Sequence, residues 1–152
     1  MLNFNNYKVY NLSTTEFLTR LVAAAIAGLA IGFERQWHHK ETGVKTNTLV
    51  AIGAAVFVLL SIKVAETEPN IDVTRITAQV VMGVGFLGAG VIFREGDNVH
   101  GLNSAATIWC SAAIGSTAAS GYFIEALICT LLVILINIAI EPIDNWLKNR
   151  KG

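Results

Sequence analysis

Apolar and polar positions alternate along this chain in blocks rather than at the 2-residue or 3.6-residue periods of a soluble fold. Five mostly apolar blocks stand out, at residues 17–33, 49–65, 76–93, 105–122 and 123–140. Each approaches the ~20 residues that a helix needs to cross the hydrocarbon core of a bilayer. The first is interrupted only by Thr19 and Arg20 near its start, and the second carries Lys63 near its end. The third is rich in glycine, and the fourth is dominated by Ala, Ser, Thr and Gly. The fifth contains the greasiest run, Ala126 to Ile140, which the sequence predicts to stop at Glu141-Pro142. The fold expected is therefore all-α, a polytopic membrane bundle of about five helices forming one domain over residues 1–152. The fourth block is the least apolar. It reads as a span enclosed by its neighbours, with a re-entrant segment as the other reading.

Composition supports that class. The 152 residues are 53% hydrophobic and 14% charged, against about 25% charged in an ordinary soluble domain, and mean hydropathy is +0.54. Net charge is zero, and no basic tract of the kind that binds phosphate backbones is present, so nucleic acid is not an expected partner. Cys110 and Cys129 both fall in apolar blocks, without a Cys or His at metal-ligand spacing, which speaks against a disulfide framework or a zinc site. No cofactor is expected. A cleaved signal peptide is a poor account of the first block, because the segment before it has one lysine and many asparagines.

Basic residues in the loops set the expected orientation. With five spans, Arg35, Lys40, Lys45, Arg94, Lys148, Arg150 and Lys151 share one side, and Lys8, Lys63 and Arg75 the other. The richer side is expected to be cytoplasmic, which places the N-terminus outside and the C-terminus inside. Trp37 and Trp146 then lie near the cytoplasmic interface, where amphipathic rings are favoured.

The blocks also hint at a duplicated hairpin followed by a fifth helix. Gly32-Phe33-Glu34-Arg35 closes the first helix and Asn47-Thr48 opens the second. Likewise Ile92-Phe93-Arg94-Glu95 closes the third and Asn103-Ser104 opens the fourth. Asn is a favoured N-cap, so both asparagines are expected to cap their helices.

Four groups of residues are candidates for function. Gly83, Gly85, Gly88 and Gly90 leave two faces of the third helix without side chains. Close helix packing explains them, and a local unwinding that exposes carbonyls to an ion is the alternative. Gln79, one turn earlier, is costly to bury without partners. Asn103, Thr107 and Cys110 share one face of the fourth helix, where they either line a polar cavity or cross-link helices. Glu34-Arg35, Lys45 and Arg94-Glu95 gather at the predicted cytoplasmic ends, as anchors or as a shared charged site. His38-His39-Lys40-Glu41 reads as solvated loop. Glu16 and Arg20 are spaced to pair on one helical face, and Glu125 lies near the outer end of the fifth helix. No nucleophile–base arrangement is evident, so an enzyme is not expected.

Taken in order, Gly32-Phe33-Glu34-Arg35-Gln36, Gly43-Val44-Lys45-Thr46, the run Gly83 to Ile92 and the run Gly101 to Cys110 resemble the MgtC/SapB family across residues 16–140. The resemblance implies a bacterial inner-membrane domain of about five helices. It also implies a link to growth in low magnesium, to survival in macrophages and, in some members, to inhibition of the proton-translocating ATP synthase. Asn103 and Cys110 fall on motif positions important in the family, while Lys45 stands where Arg is usual. The better-known members carry an ACT-like domain after the last helix, which this chain is expected to lack. The function expected is regulation of membrane or ion homeostasis by a non-enzymatic module acting on other membrane proteins, with a homo-oligomer, most simply a dimer, in the lipid bilayer. The alternative is a small oligomeric transporter or channel, with Glu34, Glu95 and Asp97 as the acids available to Mg²⁺.

Overall fold

Each apolar block becomes a helix, but of the expected boundaries only the end of the second at Ala65 and the start of the fifth at Phe123 stay in place. The computed structural model describes residues 12–68 and 71–149, with side chains except at 141 and 143–149. The order is α1 (Thr14–Trp37), α2 (Val44–Ala65), α3 (Thr74–Val91), β1 (Phe93–Glu95), β2 (Asn98–His100), α4 (Leu102–Ala119) and α5 (Phe123–Asn149). Lys8, Arg150, Lys151 and the side chains of Trp146 and Lys148 lie outside the described residues.

At the start of α1 the Ser13 hydroxyl accepts from the Glu16 N–H at 3.1 Å, and the Glu16 carboxylate accepts from the Ser13 N–H at 3.0 Å. This capping box satisfies free N–H groups at the helix start. It occupies Glu16, so the expected pairing with Arg20 gives way. Arg20 instead donates to the Ala119 carbonyl at 3.1 Å, tying α1 to the last turn of α4.

Neither Asn47 nor Asn103 is an N-cap. Gly43 precedes α2 and Gly101 precedes α4, and each asparagine sits inside the first turns of its helix. Gly101 has φ of +83°, and a Cβ there would sit 2.9 Å from the Val91 carbonyl carbon, with the oxygen closer still. Glycine is required on both counts. The third helix ends at Val91, because Phe93–Glu95 pairs antiparallel with Asn98–His100 around a turn at Gly96. The fourth ends at Ala119, before Gly121 at φ +88°. The fifth runs through Pro142 to Asn149. A proline removes one rung of the hydrogen-bond ladder, and here the helix continues beyond it.

The chain is an all-α polytopic membrane protein with one minor hairpin. Helices α1, α2, α3 and the Phe123–Ile140 part of α5 are each long and apolar enough to cross a membrane. The remaining helix, α4, touches all four of them. Most of its hydroxyl-bearing and small residues, such as Ser104, Thr107, Ser111, Gly115 and Ser116, are therefore lodged among helices rather than against lipid. Two apolar clusters hold it there. Ile31, Leu59, Ile114 and Ala118 anchor the larger, and Ala54, Val84, Ile108 and Ala112 form the smaller.

Small residues let these helices approach closely. A Cβ at Gly28 would lie 2.8 Å from the Thr48 Cα, one at Gly32 would lie 2.5 Å from the Val44 Cα, and one at Gly115 would lie 2.8 Å from the Ala51 Cα. The glycines singled out in the third block behave differently. A Cβ at Gly83, Gly85 or Gly90 would meet nothing within 4 Å among the described residues, and one at Gly88 would meet Ala105 at 3.6 Å. Within the chain, close packing falls to Gly28, Gly32 and Gly115, where α1 and α4 press on α2. For the hairpin repeat, Gly28 and Gly88 both face the start of the following helix, but a short turn joins α1 to α2 and a β-hairpin joins α3 to α4.

Candidate functional site

Most of the polar groups that the bundle buries collect towards the end where the 38–43 loop and the β-hairpin lie, with Ser61, Ser116 and Thr130 elsewhere. Glu34 and Arg35 close α1 and are both buried, at 7% and 3% exposure. They point into different partners. The Arg35 Nη2 donates to the Ser104 Oγ at 2.7 Å, and that hydroxyl donates to the Glu41 Oε2 at 2.6 Å. The chain Arg35–Ser104–Glu41 thus links α1, α4 and the first loop. Glu34 faces α5, where its Oε2 accepts from the Asn137 Nδ2 at 2.8 Å. Its Oε1 lies 3.3 Å from the His38 Nδ1, one turn on.

A second link lies deeper. Asn47 is fully buried, and its Nδ2 donates to the Thr42 carbonyl at 3.2 Å and the Gly43 carbonyl at 3.0 Å. Its Oδ1 accepts from the Ser111 Oγ at 2.9 Å. Ser104 and Ser111 are two turns apart on α4 and are both fully buried, so one seam of this helix bonds to α1, the loop and α2. The hydroxyls of Thr42 and Thr48 are buried beside it without a partner among the described residues.

The electrostatics are those of a paired site. The Ser104 hydroxyl holds the Glu41 carboxyl below its ordinary value, helped by the Glu41 N–H and by the charges of Arg35 and His100. Burying Arg35 without such partners would carry the large penalty of an uncompensated charge.

Of the charged cluster expected from sequence, only Glu34 and Arg35 enter this network. Lys45 is exposed on α2. Arg94 turns back on its own hairpin, with Nε donating to the Gly96 carbonyl at 2.7 Å and Nη2 at 3.3 Å from Asp97. Glu95 is exposed opposite Asn98. The face expected on α4 is also displaced by one residue. Asn103 is exposed, Cys110 is half-buried, and Thr107 is buried but donates to the Asn103 carbonyl of its own helix. Gln79 is exposed on α3, and Glu125 is exposed at the start of α5.

The sequence reasoning missed Ser104, Glu41, Asn47, Ser111 and Asn137. Asn137 had a signal, as a lone amide in the greasy run of α5. Ser104 and Ser111 had none stronger than that of their neighbours, because α4 carries small polar residues on several faces. Glu34 is spoken for by Asn137 and His38, and Asp97 by Arg94. Among the described residues no three His, Cys, Asp or Glu side chains converge as a metal site would require.

Comparison with known proteins agrees with the architecture. The model of the MgtC family matches residues 21–146. The MgtC protein of Salmonella typhimurium is 50% identical over 125 residues, covering 82% of this chain and 52% of that protein. The MgtC protein of Brucella abortus is 49% identical over 129 residues, covering 84% and 52%. An uncharacterized protein of Synechocystis is 47% identical over 135 residues, covering 89% and 56%. The chain spans about half the length of the curated relatives it matches. No solved structure matches it.

Proposed function

Since the chain belongs to the MgtC family, we propose that it is a non-enzymatic module of the bacterial inner membrane that adjusts ion homeostasis when magnesium is scarce, by acting on another membrane protein. The observation that carries this reading is that the buried polar side chains of the seam are committed to partners inside the chain, the Thr42 and Thr48 hydroxyls excepted. Arg35, Ser104, Glu41, Glu34, Asn137, Asn47 and Ser111 are all donors or acceptors within the chain. A transport route needs polar groups offered to a passing ion, and Mg²⁺ in particular favours carboxylate and water oxygens in octahedral array. Here the same groups bind helix to helix. The outer face of α5 is apolar, with Leu127, Ile128, Leu131 and Leu135 among its exposed side chains, and suits lateral contact in a bilayer. In this reading the network end faces the cytoplasm, as the loop lysines and arginines favour.

Growth tests this reading. In a bacterium deleted for its own family member, the chain is expected to restore growth at low external magnesium with the rate of Mg²⁺ uptake unchanged. Rescue that rises and falls with Mg²⁺ uptake would replace it with the transporter alternative. An alkaline-phosphatase fusion at the C-terminus is expected to be inactive, and an active one reverses the orientation.

A further inference from the structure

One helix face has polar chemistry that nothing among the described residues answers. Helix α3 is 18 residues long, about 27 Å at 1.5 Å per residue, against a hydrocarbon core of ~30 Å. A helix this short has no slack with which to lift its first turns into the interface. Gln79 lies one turn inside Arg75, and no charged residue follows it in the helix. Its side chain is exposed on the outside of the bundle and has no hydrogen-bond partner among the described residues. An amide left thus in hydrocarbon costs several kcal/mol on the order of the water-to-alkane transfer values.

Gly83, Phe86 and Gly90 follow Gln79 at intervals of four, three and four residues, so the four share one stripe. Phe86 is 82% exposed, and a Cβ at Gly83 or Gly90 meets nothing within 4 Å among the described residues. The stripe borders a groove of about 520 Å³ against α2, walled there by Leu49, Gly53 and Phe57. Lipid chains can fill such a groove, but they offer nothing to the amide.

We propose that this face of α3 pairs with the same face of a second copy, with the two Gln79 amides bonded reciprocally. Membrane topology selects that occupant. Copies inserted the same way round are related by a two-fold axis along the bilayer normal, so a residue near the axis meets its own counterpart at equal depth. An amide is self-complementary, since it carries both a donor and an acceptor. Gly83, one turn from Gln79, leaves room for the helices to close at the amide end, and the Phe86 ring is left to pack beside the Gly90 gap. This goes beyond the reading of function above and does not depend on whether the chain regulates or transports.

Disulfide trapping in native membranes tests it, in a background with Cys110→Ala and Cys129→Ala. Gly83→Cys is expected to give an oxidised dimer, and Leu131→Cys, on the outward face of α5, is expected to stay monomeric. In reconstituted bilayers, Förster transfer between labelled copies gives the dimer affinity directly, without a cysteine at the interface. There Gln79→Leu is expected to weaken the dimer roughly eight-fold, the loss of two average interhelical hydrogen bonds, while Gln79→Asn keeps most of the affinity. A protein monomeric at every protein-to-lipid ratio, a disulfide formed from α5 rather than α3, or a dimer indifferent to Gln79→Leu would each overturn the proposal.

Discussion

Replacing Gly115 by alanine adds one methyl group at the place where α4 rests on α2. The new Cβ would lie 2.8 Å from the Ala51 Cα and 2.9 Å from its carbonyl carbon, with the oxygen nearer still, whereas ordinary contact begins at 3.4 Å. All three atoms are backbone in the interior of a 22-residue helix, so no flexible side chain can swing aside. The two helices must part by about half an ångström or more, and overpacking of this kind costs about 1–3 kcal/mol. The Ser111–Asn47 hydrogen bond, one turn away at 2.9 Å, stretches towards its limit and forfeits part of the ~0.6 kcal/mol typical of interhelical bonds in bilayers. Alanine returns up to ~1 kcal/mol as the better helix former. The net expectation is a loss of about 1–2 kcal/mol. Reversible unfolding in mixed micelles of rising dodecyl sulfate content, followed by tryptophan fluorescence, measures it. Gly85→Ala, with nothing among the described residues within 4 Å of its Cβ, is the matched control and should be neutral or slightly stabilising. If the two variants unfold together, the close α2–α4 contact is not what holds the bundle.

Gly101→Ala combines a left-handed backbone with a clash against the Val91 carbonyl and should cost about 2–4 kcal/mol in the same unfolding assay. Ser104→Ala leaves Arg35 and Glu41 without the hydroxyl that bridges them. A loss of about 1–3 kcal/mol is expected, and a double-mutant cycle with Glu41→Gln should show the two changes to be non-additive. Glu41 also sets a pH dependence. Its folded carboxyl titrates below its ordinary value, so its latch contributes fully above that ordinary value and is lost as pH falls through the folded pKa. Because the group is largely exposed, the effect is held to about 1 kcal/mol or less. The stability difference between wild type and Glu41→Gln should therefore be present near neutrality and vanish once the pH has fallen below the folded carboxyl's lowered pKa. A difference that persists in acid would show that Glu41 acts by something other than its charge.

The spans were legible in the sequence because hydrophobic block length is a direct reading of bilayer thickness. Enclosure of the fourth block was legible too, since Ser104, Ser111 and Gly115 suit a helix interface better than lipid. Its working face was not. With Asn103, Ser104, Thr107, Cys110 and Ser111 all small and polar, helical periodicity has no contrast to read, and the face that turns inward is decided by partners far along the chain. Arg35 and Glu41 come from 69 and 63 residues away. The glycines show the same limit from the other side. Density drew the eye to Gly83–Gly90, while tight packing depends on three isolated glycines whose partners lie on another helix. Asn47 and Asn103 looked equivalent as caps, and the structure separates them completely, with Asn47 fully buried in the polar seam and Asn103 on the surface.

In the proposed function the buried polar groups hold the bundle together and do not conduct. Purified protein reconstituted in liposomes loaded with a Mg²⁺-sensitive dye tests it most directly, with an imposed membrane potential and with K⁺ and H⁺ measured in parallel. The account predicts flux no greater than in protein-free vesicles for wild type, Ser104→Ala and Asn47→Leu alike. Saturable flux in wild type that Ser104→Ala or Asn47→Leu abolishes, in protein that remains folded, would contradict it and make the seam a transport path.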